Sequence, residues 1–165
     1  MVKKQVIRPF KFLITMIMVM VMMASVCSVA LATDAQILSL QLGGSYNSMA
    51  SAYGGERHHC PAKDGYVNTT VNRYNSSGAV NGTVTAGTGP CVLITTADHQ
   101  KTASWGSSTA AVNYRAQQLS LLKQGKYGNA QTMDINDLQA KVGGKYNTAI
   151  SRMVLYTNNT LNWNK

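Results

Sequence analysis

Phenylalanine is all but missing from this chain. Both Phe residues, Phe10 and Phe12, and six of the nine Met residues fall within the first 23 positions. Beyond residue 32, Leu, Ile and Val total only 22 of 133 residues. A core built there must draw on the eight Tyr and two Trp for much of its buried area. Asn, Gly, Ser and Thr fill the space instead. That mix suits a protein outside the cytoplasm, or one that completes its burial against partners. Acid is scarce as well. Only six Asp and Glu are present, and Glu56 is the sole Glu. No Gly-x-Ser-x-Gly elbow, His-Glu-x-x-His helix or phosphate loop occurs, so the common hydrolase and nucleotide signatures are absent.

What is present first is a leader. Lys3, Lys4, Arg8 and Lys11 precede an apolar stretch from Phe12 to Ala30 that carries no charge and closes on Ala30-Leu31-Ala32. A positive segment, an apolar segment and a small-x-small pattern mark a signal peptide, with cleavage expected after Ala32. An uncut anchor and lipidation at Cys27 are the competing readings of the same residues. With residues 1–32 removed, eleven Lys and Arg stand against six acids, and the net charge falls from +9 to +5. These charges are spread out and form no run, which gives no case for nucleic acid. The remaining 133 residues are the size of one domain.

The expected fold is α+β. Thr33-Asp34-Ala35-Gln36 reads as a capping box opening a long helix over 33–55, with Leu38, Leu42, Tyr46, Met49 and Tyr53 on one stripe. From 64 to 97 the period changes to two. Tyr66 to Tyr74, Ala79 to Ala86 and Cys91 to Thr96, separated by Gly-containing turns, read as a three-strand antiparallel meander. Two helices follow within 107–156, the second capped by Asp134, and 157–165 is an Asn-rich tail in which Trp163 can anchor. In an exporting context Cys60 and Cys91 are expected to form one disulfide. It would close a loop of about 30 residues, worth roughly 3 kcal/mol.

Two segments about 100 residues apart are near copies: Leu42-Gly43-Gly44-Ser45-Tyr46-Asn47-Ser48 and Val142-Gly143-Gly144-Lys145-Tyr146-Asn147-Thr148, each with Ser three residues further on, at Ser51 and Ser151. Read as helices, both carry a Tyr side and a small-residue side. Gly43, Gly44, Ser48 and Ser51 would then face Gly143, Gly144, Thr148 and Ser151, or another subunit, with Tyr46 and Tyr146 turned toward the sheet.

The residues with chemistry to offer are His58, His59 and His99. A Cys60–Cys91 link would draw them together, and three imidazoles with a carboxylate suit Zn or Cu. Glu56, with Asp64 or Asp98, is the only carboxylate set for acid catalysis, and its spacing matches no signature. No catalytic residue is assigned.

A long N-terminal helix, a meander and one disulfide in that order resemble the layout of pilin-type subunits. A prepilin keeps its apolar helix, however, whereas this apolar stretch ends at a signal-peptidase site. The reading that results is an exported protein, periplasmic or extracellular, of the bacterial cell envelope or surface. It would act by protein–protein contact or self-association, as a subunit or accessory of a pilus or secretion-type apparatus. The alternative is a small periplasmic metal-binding or hydrolytic protein that uses His58, His59 and His99.

Overall fold

The computed structural model describes residues 34–49 and 55–163. The leader, its cleavage point, Thr33, Ser51 and Tyr53 lie outside them. The chain is α+β, with two small antiparallel sheets and a set of helices. No helix among the described residues is long and apolar enough to cross a membrane.

The first sheet has the order β1 (Gly43–Ser45), β5 (Pro90–Ile94), β2 (Glu56–His59). Strand β5 is central because all five of its residues are buried, and only a strand covered on both faces tolerates that. Val92 and Ile94 point to one face and pack with Leu138, Tyr146, Ala149, Ile150 and Met153. Cys91 and Leu93 point to the other and meet Ile37 and Met49. The second sheet is a hairpin of β3 (Val71–Tyr74) and β4 (Val80–Val84). Its turn is held by Asn75, whose Oδ1 accepts from the Ser77 and Ala79 amides.

Residues 34–40 form the short helix α1. Helices α2 (Asp64–Asn68) and α3 (Thr96–His99) are single turns. Helix α4 (Thr109–Lys123) is capped by the Ser108 hydroxyl, which accepts from the Ala111 amide. Gly125, at φ +72°, then turns the chain into α5 (Tyr127–Val142). Helix α6 (Asn147–Tyr156) covers β1 and β5. Beyond a π turn, Thr157–Leu161, Trp163 is buried and its Nε1 donates to the Asn72 carbonyl.

Four expectations are corrected here. The long helix over 33–55 is not formed: helix ends at residue 40, and Gly43–Ser45 is a strand. The reason is tertiary. Gln41 turns left-handed at φ 45°, and its side chain both donates to the Lys145 carbonyl and accepts from the Ala149 amide. Gly43 then lies so close to α6 that a Cβ would fall on the Ala149 carbonyl.

The three-strand meander is replaced as well. Residues 64–68 are helical, and β5 pairs with β1 and β2 rather than with β4. Strand β4 is exposed along most of its length and suits a two-stranded edge, whereas β5 needs cover on both faces.

The two C-terminal helices are three, α4 to α6. Asp134 sits within α5 instead of capping a helix, and the intended last helix breaks at Gly143, whose φ of +65° favours glycine.

Finally, Cys60 and Cys91 are both free and buried. His59 pairs with Cys91 across the sheet, so Cys60, one residue on, faces the opposite side. Cys60 packs with Val92 and Ile94, and Cys91 with Leu93 and Met49.

Candidate functional site

Strand β2 sets the site. Its alternation sends His58 to one side of the sheet and His59 to the other, and Cys60 falls on the side of His58. A cleft of about 420 Å³ opens over this end of the sheet, with Arg57, His58, His59, Lys63, His99 and Arg115 in its wall.

All three sequence-predicted histidines reach this cleft, but they do different things. The His58 and His99 rings meet edge to face, 5.2 Å between centroids. The His59 ring stacks on Tyr46 at 4.7 Å, and its Nε2 lies 2.8 Å from the Ala86 carbonyl, which occupies that nitrogen. Burial lowers the pKa of each. For His58 the shift is to about 3, with His99 and His59 adding to it. For His59 the Ala86 carbonyl opposes the shift, and for His99 Glu56 does.

The basic groups of the cleft are held in place. The Arg57 guanidinium lies 3.6 Å from the centroid of the Tyr46 ring and donates to the Tyr46 hydroxyl at 2.7 Å. Arg115 donates from Nε to Asp64 at 2.8 Å and from Nη1 to the Ser104 and Gly106 carbonyls.

Beneath His58 is a second, buried group. One ligand atom each of His58, Cys60 and Asp134 lie within 4.8 Å of one another. His58 Nε2 and Asp134 Oδ2 have no hydrogen-bond partner of good geometry, and neither do the nearby Gln118 Nε2 and Tyr66 hydroxyl. Such an orphan typically costs about 1–3 kcal/mol. The Tyr114 hydroxyl lies 3.1 Å from Asp134 Oδ1. Burial pushes the Asp134 carboxyl up to about 7, although Gln118 and Tyr114, which face it, pull the other way. Burial also raises the Cys60 thiol well above its usual value, with Asp134 adding to the shift.

The twin Gly-Gly segments meet, but as strand on helix. Gly43 touches α6 through its bare backbone. Gly143, Gly144, Thr148 and Ser151 are exposed, as is Ser48, so the second small-residue stripe is not covered by the first. Gly44 is buried. Tyr46 lines the cleft, and Tyr146 is fully buried on the other side of the sheet with its hydroxyl on Asp98 and Thr95.

Sequence reasoning missed Asp134 as a site residue, along with Arg57, Lys63, Arg115 and Tyr114. Asp134 carried a signal. Ala130, Asp134 and Leu138 recur every four residues on one buried helix face, and an acid in an apolar stripe wants a partner.

Comparison with protein families, characterised proteins and solved structures finds no match for this chain.

Proposed function

We propose that the chain is an exported protein of the bacterial cell envelope or surface that acts by contact, and that its cleft takes an anionic group, carboxylate or phosphate, from its partner. The leader pattern supports export: Lys3, Lys4, Arg8 and Lys11, the apolar run and Ala30-Leu31-Ala32. The pilin-like layout does not carry over, because the fold above replaces it. The reading of contact rests on the cleft instead.

One observation carries it. Arg57, Lys63 and Arg115 stand around a single opening whose one lining carboxylate, Asp64, is already paired with Arg115. The cleft is therefore positive even with its three histidines neutral. Two of the cations are fixed by bonds to the body of the protein, so little freedom is lost when a ligand arrives.

The test is a titration of the protein with inorganic phosphate and with succinate, followed through the amide signals of Lys63 and Gly106. Saturable shifts are expected, weakened about tenfold in Lys63→Glu and by added salt. Lys63 is exposed, so its replacement leaves the fold intact. Shifts that ignore both Lys63→Glu and salt, or no shifts at all, would remove this reading.

A further inference from the structure

We propose that His58, Cys60 and Asp134 form a buried site for one divalent transition-metal ion of the zinc class, beneath the cleft. The inference does not depend on the cleft's taking anions. It begins with placement. His58 lies on β2, Cys60 directly follows the strand and falls on the same side, and Asp134 faces them from α5. Their ligand atoms all lie within 4.8 Å of one another. Bonds of about 2.0–2.3 Å to a shared zinc require a small contraction of that triangle.

The second observation is independent of the first. His58 Nε2 and Asp134 Oδ2 are both unpartnered, on residues only 2 % and 1 % exposed. Native proteins rarely leave such atoms unsatisfied, and a cation between them satisfies both. Neither atom bonds to the other, so the pair is not a closed hydrogen-bonded unit.

Donor chemistry selects the ion. One imidazole nitrogen, one sulfur and one carboxylate oxygen match Zn2+, whereas Mg2+ and Ca2+ prefer oxygen alone. The Tyr114 hydroxyl on Asp134 Oδ1 steadies the carboxylate from behind and leaves Oδ2 for the ion. The ligand set thus keeps His58 from the three-histidine expectation and replaces the other two. His59 faces away and is bonded to Ala86, and His99 packs its ring against His58. Three protein ligands leave a fourth position. Because His58 lines the cleft as well, the cleft is the route by which an ion or its fourth ligand enters.

The binding step balances simply. The ion adds to neutral His58 and to the carboxylate of Asp134, and it displaces one proton from the Cys60 thiol. Binding therefore strengthens as pH rises.

The test is titration of the reduced protein with Zn2+ and with Co2+. One equivalent is expected, with a rise in thermal midpoint and, for Co2+, a thiolate charge-transfer band together with the visible bands of a four-coordinate ion. Cys60→Ser should abolish the charge-transfer band. Asp134→Asn and His58→Gln should weaken binding by about 100-fold or more. Cys91→Ala, which removes the thiol on the other face of the sheet, should keep the band. If Cys60→Ser does not fold, proton release by the wild-type protein decides instead, with about one proton per ion expected from the Cys60 thiol near neutral pH. No binding at micromolar metal overturns the proposal. So does a charge-transfer band that persists in Cys60→Ser, or binding without proton release.

Discussion

Asp98 and Asp134 are each 1 % exposed, and the fold treats them in opposite ways. Asp98 follows β5 on the single turn α3. Lys101 and Lys145 reach its two oxygens at 2.7 Å, and the Tyr146 hydroxyl donates to it at 2.8 Å. Burial alone would raise its pKa, but these three donors outweigh burial and hold the carboxyl well below the usual range. Asp134 has Tyr114 and Gln118 beside it and no cation, and burial pushes it up to about 7. Equal burial thus gives a charged structural anchor in one place and an unsatisfied acid in the other. What decides is whether the surrounding elements bring a counter-charge. Asp98 joins α3 to the turn before α6. Asp134 meets only neutral groups, Tyr114 and Gln118 of α4, and its Oδ2 has no partner, which is why it reads as a ligand.

The most direct way to break the comparison is to neutralise each acid in turn. Removing one partner of a buried ion pair commonly costs 3–5 kcal/mol. The two lysines at Asp98 are about half exposed, so Asp98→Asn is expected to lose about 2–3 kcal/mol. Asp134→Asn, measured with a chelator present at pH 7, should stay within about 1 kcal/mol of wild type and fall on the stable side. Urea unfolding of the three proteins checks both. A large loss for Asp134→Asn would mean that its charge is compensated after all.

The sequence made part of this visible. The class, helices with antiparallel strands, follows from the Val- and Thr-rich runs beyond residue 70, although the change of period expected near residue 64 falls on the helix Asp64–Asn68. The run Cys91 to Thr96 was legible as a strand. Its place at the centre of a sheet was not, because its partners Gly43–Ser45 and Glu56–His59 are only three and four residues long and lack any strand pattern. A buried strand recruits such partners by hydrogen bonding, and their own composition does not announce it. The twin Gly-Gly segments misled for a related reason. Their likeness is one of composition, yet Gly43 lies in a strand against α6 and Gly143 turns the chain left-handed. Glycine accepts both conformations, so shared glycines specify neither. In the site, the histidines were legible by type and Asp134 was not, because its partners are distant in sequence and its pattern reads as a helix cap although it lies inside α5.

A pH series sharpens the contrast, again with a chelator present. Asp98 has a depressed folded pKa, so the stability it adds is present above the usual carboxylate range and is lost as pH falls below about 4. Asp134 has a raised one. Between about 4 and 7 the folded state keeps a proton that the unfolded state gives up, so its contribution declines as pH rises. His58, lowered to about 3, runs against it: the unfolded state binds the proton below about 6.5, and stability climbs with pH up to there. His59 and His99, whose pKa values burial also lowers, act in the same direction as His58, so from pH 4 to 6.5 the Asp134 slope opposes the histidines and the wild-type protein should still climb with pH. Asp134→Asn removes the opposing slope, so the climb should steepen by at most about 1.4 kcal/mol per pH unit. Asp98→Asn should leave the slope in that window unchanged and make the acid limb below pH 4 shallower. Thermal midpoints across pH 3 to 7 read all three curves. A wild-type curve that falls steadily between 4 and 6.5 would show that Asp134 acts without the opposing histidines.

The smallest expected effect separates the two tyrosines that serve the acids. The Tyr146 hydroxyl donates to Asp98 and accepts from the Thr95 amide at 3.1 Å, so it gives one bond to a charge and receives another. Tyr146→Phe removes both and leaves a buried amide unpaired, at about 2 kcal/mol. The Tyr114 hydroxyl has a single proton for two acceptors, the Met133 carbonyl at 3.0 Å and Asp134 Oδ1 at 3.1 Å. Neither bond can be complete, and the acid it faces is about half neutral at pH 7. Tyr114→Phe should therefore cost about 1 kcal/mol or less in the metal-free protein. It also takes a donor away from Asp134, so the carboxyl should titrate higher still, as carbon-13 spectra of the labelled aspartate would show. The same substitution removes the group that orients the carboxylate toward a bound ion, so zinc affinity should fall about tenfold or more. A variant with little effect on folding and a clear effect on zinc would place Tyr114 in the service of the metal. Equal losses in both measurements would place it, like Tyr146, in the service of the fold.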